Sequence, residues 1–309
     1  MPYDDTSWQH SPRFDVERFD ENPIIHPDMP GLEGERGGNI NGPSLIRVPE
    51  WIDDPLGRYY LYFAHHGGDY IRLAYADDLE GPWTVYEPGT LHKDDAPGVA
   101  HIASPDVHVE EESERIRMYF HQPGPPDSPI PGQVSFVALS EDGLDFTARP
   151  EVLGKFYFRV IRHEGCWYAF AKYGNEDGII YRSQDGLTDF EPGPHYRPGV
   201  RHTAPWIEGD TLYLLYSLAG DRPERILLST IDLSRDWMDW ELSEPEIVLE
   251  PELDYEGGDL PLEKSSYGSA AGRVRQIRDP DIYREEDRLY MLYSVAGEQG
   301  IAIARLRRT

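Results

Sequence analysis

Two short phrases hold the residues best suited to chemistry. One is Arg278-Asp279-Pro280-Asp281; the other is His101 followed by Ser104-Pro105-Asp106. An aspartate can hold or take up a proton, and a histidine can give or accept one near neutral pH. His202, just before Thr203-Ala204-Pro205, stands in a third phrase of similar make, and Asn41-Gly42-Pro43-Ser44 forms a fourth. Carboxylates, imidazoles and guanidinium groups gathered in one place would suit a small polar ligand. A repeat is what could gather them.

Residues 277–294 read as a strand opening on Asp279-Pro280-Asp281, a charged turn and a second strand, Leu289-Tyr290-Met291-Leu292-Tyr293. That second strand is too apolar for an exposed edge. The same unit recurs four times upstream, opening at Asn39, at His101, near Phe158 and at His202. Proline stands at four of the five openings (Pro43, Pro105, Pro205 and Pro280), with Val160 in that place in the third. Three or four short strands per unit at this pitch are the pattern of a propeller blade. The expectation is an all-β, five-bladed β-propeller, with blades near 39–90, 99–153, 156–197, 200–250 and 275–309 in one domain. Most units end in a proline-led strand that the last one lacks. Asn22-Pro23-Ile24-Ile25 is the same phrase without a unit before it, so residues 22–26 are expected to complete the last blade and close the ring.

Composition narrows the function. The chain has 309 residues, 57 acidic against 29 basic, and a net charge of −28. Such a surface repels phosphate backbones, which argues against a nucleic-acid partner. The single cysteine, Cys166, excludes an internal disulfide and is expected to be a buried structural thiol. No signal-peptide pattern opens the chain and no apolar run is long enough to span a membrane, so the expectation is a soluble, cytoplasmic protein without a membrane partner.

In a propeller the inner strands begin beside the axis at one face, where the loops between second and third strands also return. The groups expected there are Asp279, Asp106 and His202 as catalytic candidates. Asn41, His66, His101, His121, Arg159, Arg278, Trp206 and Tyr267 are expected to bind the ligand, the aromatic rings stacking on the apolar face of a sugar. The connector 250–276 is long and glycine-rich enough to act as a lid.

Ala103-Ser104-Pro105-Asp106-Val107-His108 resembles the A-P-D-V-H phrase of glycoside hydrolase family 43 and its five-bladed relatives. Asn41-Gly42-Pro43-Ser44-Leu45-Ile46 resembles their first-blade D-P-S-I-I phrase, and Thr203-Ala204-Pro205 with Leu212-Tyr213-Leu214-Leu215-Tyr216-Ser217 resembles their fourth-blade pattern. The resemblance implies an inverting glycosidase acting on an oligosaccharide or a plant- or algal-type polysaccharide fragment. It also leaves room for a divalent cation such as calcium on the axis, with His101 or His202 beside it; no zinc-type ligand spacing is present. The family's base, modulating acid and proton donor would fall at Gly42, near Arg159-Val160 and at Thr203, so its catalytic set does not carry over. The expectation is therefore a rearranged centre, with Asp279 as base, Asp106 as second carboxylate and His202 as proton donor. A catalytically silent sugar-binding propeller and a lyase acting on an acidic sugar are the alternatives.

Overall fold

In the computed structural model, which describes residues 13–309, five antiparallel sheets are arranged as the blades of a propeller. Blade 5 draws on both ends of the chain, and its outermost strand is β1 (Phe14–Arg18). Blade 1 follows as β2 (Asn41–Arg47), β3 (Tyr59–Ala64), β4 (Tyr70–Ala76) and β5 (Thr84–His92). Blade 2 holds β6 (Ala103–Glu110), β7 (Arg115–Pro123) and β8 (Gln133–Ser140), edged by the short β9 (Thr147–Ala148) and β10 (Gly154–Lys155). Blade 3 is β11 (Arg159–His163), β12 (Cys166–Tyr173), β13 (Asp177–Ser183) and β14 (Glu191–Tyr196). Blade 4 is β15 (Val200–Glu208), β16 (Thr211–Leu218), β17 (Ile226–Asp232) and β18 (Glu246–Leu249). Blade 5 ends with β19 (Arg278–Glu285), β20 (Arg288–Ser294) and β21 (Ile301–Arg308). The inner strands β2, β6, β11, β15 and β19 stand around the axis, β2 between β6 and β19 and β15 between β11 and β19.

The near-continuous apolar runs have a direct cause. Alternate residues of a middle strand face opposite neighbours, and here both neighbours are blades. On β3, Tyr59, Leu61 and Phe63 pack toward blade 5, while Tyr60 and Tyr62 pack toward blade 2. On β20, Tyr290 and Leu292 face blade 1, while Leu289, Met291 and Tyr293 face blade 4. The core is thus five apolar layers between adjacent blades. Each fully buried Leu or Phe contributes roughly 1.5–3 kcal/mol.

The ring is closed by an N-terminal strand, but a different one from that expected. β1 pairs with β21 from Phe14↔Arg308 to Arg18↔Ala304. The 22–26 segment makes only the isolated bridge Ile25↔Ile301. Pro23 has no N–H to give a ladder, and the Asn22 side chain takes the Ile303 backbone instead, donating to its carbonyl and accepting its N–H. Phe14-Asp15-Val16-Glu17-Arg18 alternates apolar and polar, as an edge strand with one buried face requires. Cys166 is half-buried, its Sγ accepting from Gln184 Nε2 at 3.3 Å. No helix among the described residues is long and apolar enough to cross a membrane.

Candidate active site

Four of the five inner strands enter the axis through a kink. The β2–β3, β6–β7, β15–β16 and β19–β20 ladders all slip between their first and second pairings, so that two residues oppose one. These β-bulges re-aim the side chains at the strand openings. The first bulged residues are Gly42, Ser104, Arg201 and Asp279; in blade 3 Tyr157 stands in the corresponding place, two before Arg159. Ser104, Tyr157 and Asp279 have φ of +54°, +65° and +52°. Left-handed backbone at non-glycine residues is costly and clusters at working sites. The ladder also corrects the expected alignment. Pro205 pairs within the regular part of β15 (Pro205↔Leu214), and the proline place in blade 4 is held by His202. In blade 3 the corresponding residue is Phe158, two before Val160.

This ring of bulges floors a small axial cavity of about 50 Å³, lined among others by Asn41, His66, His101, His121, His202 and Asp279. Asp279 Oδ1 lies 3.3 Å from His202 Nδ1, a close charge–dipole contact without hydrogen-bond geometry, so that Nδ1 has no hydrogen-bond partner. Ser294 Oγ donates to Asp279 Oδ2 at 3.1 Å. Both members of the pair are buried, at 4% and 5% exposure. Burial drives the His202 imidazole well below its usual pKa, and the nearby Arg159, Lys172 and Arg201 push it the same way. His202 is therefore neutral at pH 7. A row of rings continues the wall: Tyr157 lies edge-on to His202 at 4.1 Å and to His121 at 4.6 Å, and His101 lies 5.7 Å from His121. Burial also holds His121 well below its usual range, and its Nδ1 has no hydrogen-bond partner. Burial lowers His101 as well, against a hydrogen bond from its Nε2 to Gln133 Oε1 at 3.2 Å.

The opposite wall is an ion network. Glu298 bonds Asn39 and receives Arg278 Nη1 at 2.9 Å, while His66 Nδ1 stands 3.8 Å away and Asn41 Nδ2 3.4 Å away. Arg278 also reaches Glu224 at 3.3 Å and bonds Gln276. Arg201 pairs with Glu224 at 2.7 Å and bonds Ser266 of the long connector. Arg278, expected to bind ligand, is only 2% exposed and its guanidinium is committed to these carboxylates.

A second ring lies two residues deeper: Ser44, Asp106, Arg159, Thr203 and Asp281. Ser44 accepts Val107 N–H, Asp106 accepts Val160 N–H and Asp281 accepts Leu45 N–H, each bond crossing to the next blade. Arg159 sits among them, donating to the Pro43 and Pro105 carbonyls at 3.0 Å each. It stands 3.4 Å from Asp106 and 3.6 Å from Asp281. Asp106 and Arg159 are thus placed in a girdle that ties the blades together, outside the cavity lining. Burial tends to raise the Asp106 carboxyl, but His108, Arg159 and the Val160 N–H together hold it below the ordinary range. Asp281 is pushed up to about 7 by burial and by the neighbouring Asp106, against the pull of Arg159.

Trp206 lies away from the expected site. It belongs to the far half of β15, stacked on Tyr213 at 4.9 Å and edge-on to Phe14 at 6.0 Å. It lines a broad depression at the other mouth of the axis with His108, Trp167 and Arg284. Side chains on one strand alternate and climb away from the opening, so distance along β15 carries Trp206 to the opposite face. Tyr267, from the connector, is at the cavity side: Lys172 Nζ lies 4.7 Å from its ring centre. Sequence reasoning missed Arg201 as a lining residue because the blade-4 phrase was aligned on Pro205; Gln133, on an outer strand, had no signal.

A calcium ion takes six to eight oxygen ligands. The cavity lining offers two carboxylates, one held by His202 and the other by Arg278. Among the described residues no group of three or more His, Cys, Asp or Glu side chains is arranged to hold a metal ion. The residues do not fit the axial cation.

No protein-family model matches the chain. It is 36% identical over 326 residues to the uncharacterized protein R118 of Acanthamoeba polyphaga mimivirus, covering 94% of this chain and 90% of that protein. Among solved structures it is similar to the GH43_1 enzyme of Xanthomonas citri complexed with xylotriose, with a TM-score of 0.60, 14% identity and 87% of each chain covered. It is also similar to an α-L-arabinofuranosidase of Podospora anserina in complex with cellotriose, with a TM-score of 0.61, 12% identity and 96% and 98% of the two chains covered. At these identities the likeness establishes the five-bladed fold.

Proposed function

The chain belongs to the family of the mimivirus protein R118, and we propose that its axial pocket binds the end of a glycan and hydrolyses its terminal glycosidic bond. The observation that carries this reading is the buried Asp279–His202 pair, 3.3 Å apart on the cavity floor. At 3.3 Å a small turn of the ring lets Asp279 accept the Nδ1–H that now has no hydrogen-bond partner, and a neutral imidazole so held is set to accept a proton at its other nitrogen. The base is then His202 in place of Asp279. His202 takes a proton from water as the water oxygen bonds the anomeric carbon and the glycosidic C–O bond breaks. Asp279 orients and stabilises the imidazolium, and the departing alcohol oxygen takes its proton from solvent. Water delivered directly to the anomeric carbon gives single displacement and inversion. A blind cavity of about 50 Å³ admits the edge of one sugar ring, which favours exo action on an oligosaccharide or a plant- or algal-type polysaccharide fragment. The like-folded enzymes complexed with xylotriose and cellotriose support a sugar as ligand.

The test is release of nitrophenol from a panel of p-nitrophenyl glycosides. That leaving group departs without an acid, so the base is assayed alone. Turnover abolished by His202→Gln and by Asp279→Asn supports the reading, whereas turnover unaffected by either overturns it. A second reading, sugar binding without turnover, is favoured by Glu298, whose carboxylate is held by Arg278 and Asn39 and is not free to donate a proton. Saturable binding with no product on long incubation selects it.

A further inference from the structure

Six arginines are buried, namely Arg72, Arg117, Arg159, Arg201, Arg225 and Arg278, and every one has an oxygen partner. Lys172 is the one buried lysine, at 5% exposure, and its ammonium has none among the described residues. It is surrounded instead by ring faces: Tyr267 at 4.7 Å, Phe156 at 5.6 Å and Tyr157 at 5.7 Å from Nζ. Ring faces attract a cation but accept none of its three N–H bonds in the way a carboxylate does.

The position of this amine is informative. It stands just outside the cavity lining, behind Tyr157, which lines the cavity and contacts His202. Tyr267, 39% exposed, covers it from the connector. The carboxylates that act on it electrostatically are Glu224 and Asp279. Glu224 is already taken by Arg201 and Arg278, and Asp279 by His202 and Ser294. Burial, reinforced by Arg201, lowers the amine to about 8, so it is mostly charged at neutral pH and desolvated. Leaving a buried charge without a hydrogen-bonding counter-ion is expensive unless a ligand completes it. In a protein of net charge −28 the surface as a whole repels an anion, and an unpaired cation offsets that repulsion locally.

Building on the axial pocket as a sugar site, we infer that its ligand is an acidic sugar whose ring projects from the small cavity and whose carboxylate reaches past Tyr157 to Lys172, beneath Tyr267. The ammonium donates two of its three hydrogens to the carboxylate oxygens, a charge-assisted contact stronger than any a neutral hydroxyl offers. Arg159 and Arg278, expected from the sequence to meet a uronate, are both occupied; Lys172 is the cation left over.

The experiment is calorimetric titration of the full chain with D-galacturonate and D-glucuronate against their methyl esters, at pH 6.5 and pH 9.5. The acids are expected to bind about tenfold or more tighter than the esters at pH 6.5. That ratio should narrow at pH 9.5, as the amine loses its proton. In Lys172→Met the ratio should fall to near one, and in Lys172→Arg it should be partly restored. The acid-to-ester ratio in the unaltered protein needs no variant to fold. Equal binding of acids and esters overturns the inference and leaves the sugar pocket standing. Absence of binding by any of the four sugars overturns both.

Discussion

The two mouths of the propeller axis each hold an aspartate–histidine pair, and the pairs are built for different ends. At one mouth Asp106 Oδ2 lies 2.8 Å from His108 Nε2. The two residues are neighbours on the same face of β6, and the carboxylate simultaneously holds Val160 N–H and Arg159. At the other, Asp279 meets His202 across two blades. Its strained backbone lies at a bulge, and its imidazole is buried beside a row of aromatic and imidazole rings. The first pair is saturated by the scaffold. The second lines a cavity, and its imidazole Nδ1 has no hydrogen-bond partner. Residue types alone do not separate them; the number of bonds each carboxylate already makes does.

The comparison breaks most sharply at Arg159. Replacing it with Met leaves Asp106 and Asp281 facing each other without their cation, and breaking a buried ion pair costs about 3–5 kcal/mol. A urea midpoint that hardly moves would mean that the inner girdle is not structural. Next comes Asp279→Asn, expected to reduce glycoside turnover about 100-fold or more with a much smaller shift in the melting curve than Asp106→Asn. The reverse ranking of those two variants would exchange the roles assigned to the two mouths.

A smaller effect should appear in the pH dependence. Asp281 is pushed up to about 7 in the folded chain, against about 3.9 for a free aspartate. Its contribution to stability is therefore complete below about pH 4 and is lost as pH rises through about 7. His121 and His202, held neutral by burial, act in the opposite sense, since they lose stability as pH falls. The difference between the parent and Asp281→Asn isolates the carboxyl: urea midpoints from pH 4 to pH 8 should fall less steeply in the variant. Identical slopes would refute the raised pKa. The smallest effect belongs to Trp206→Phe at the far mouth, where turnover should change by less than about twofold, as for other sites outside a reacting centre. A large loss in kcat there would draw the second mouth into the reaction.

The propeller was legible because both faces of each middle strand are buried, which leaves runs such as Tyr59-Tyr60-Leu61-Tyr62-Phe63 that few other all-β architectures would repeat. The closing strand was harder. Asn22-Pro23-Ile24-Ile25 copied the proline-led phrase, while Phe14-Asp15-Val16-Glu17-Arg18 carried the plain alternation that an edge strand needs. At the site, Asp279, His202, His101 and Asn41 could be placed because strand openings converge on an axis, and His66 and His121 because the returns between second and third strands come back to the same face. Asp106 and Arg159 stand two positions deeper, a difference of register that bulges create and linear spacing conceals. Trp206 lay on the correct strand but at the wrong height. Lys172 carried no local pattern, and its meaning depends on which neighbours lack a carboxylate.

The pairing of β1 with β21 has a consequence for how the molecule comes into being. The hairpins within blades 1 to 4 are local and can form as the chain emerges from the ribosome, whereas Phe14↔Arg308 joins residues with four whole blades between them. Closure entropy rises with the logarithm of that separation, and such high contact order slows folding. Until blade 5 docks, one side of blades 1 and 4 stays open to water and the axial site lacks Asp279. Closure of the ring is then also the step that assembles the site, and pulsed hydrogen exchange should show the β21 amides gaining protection last.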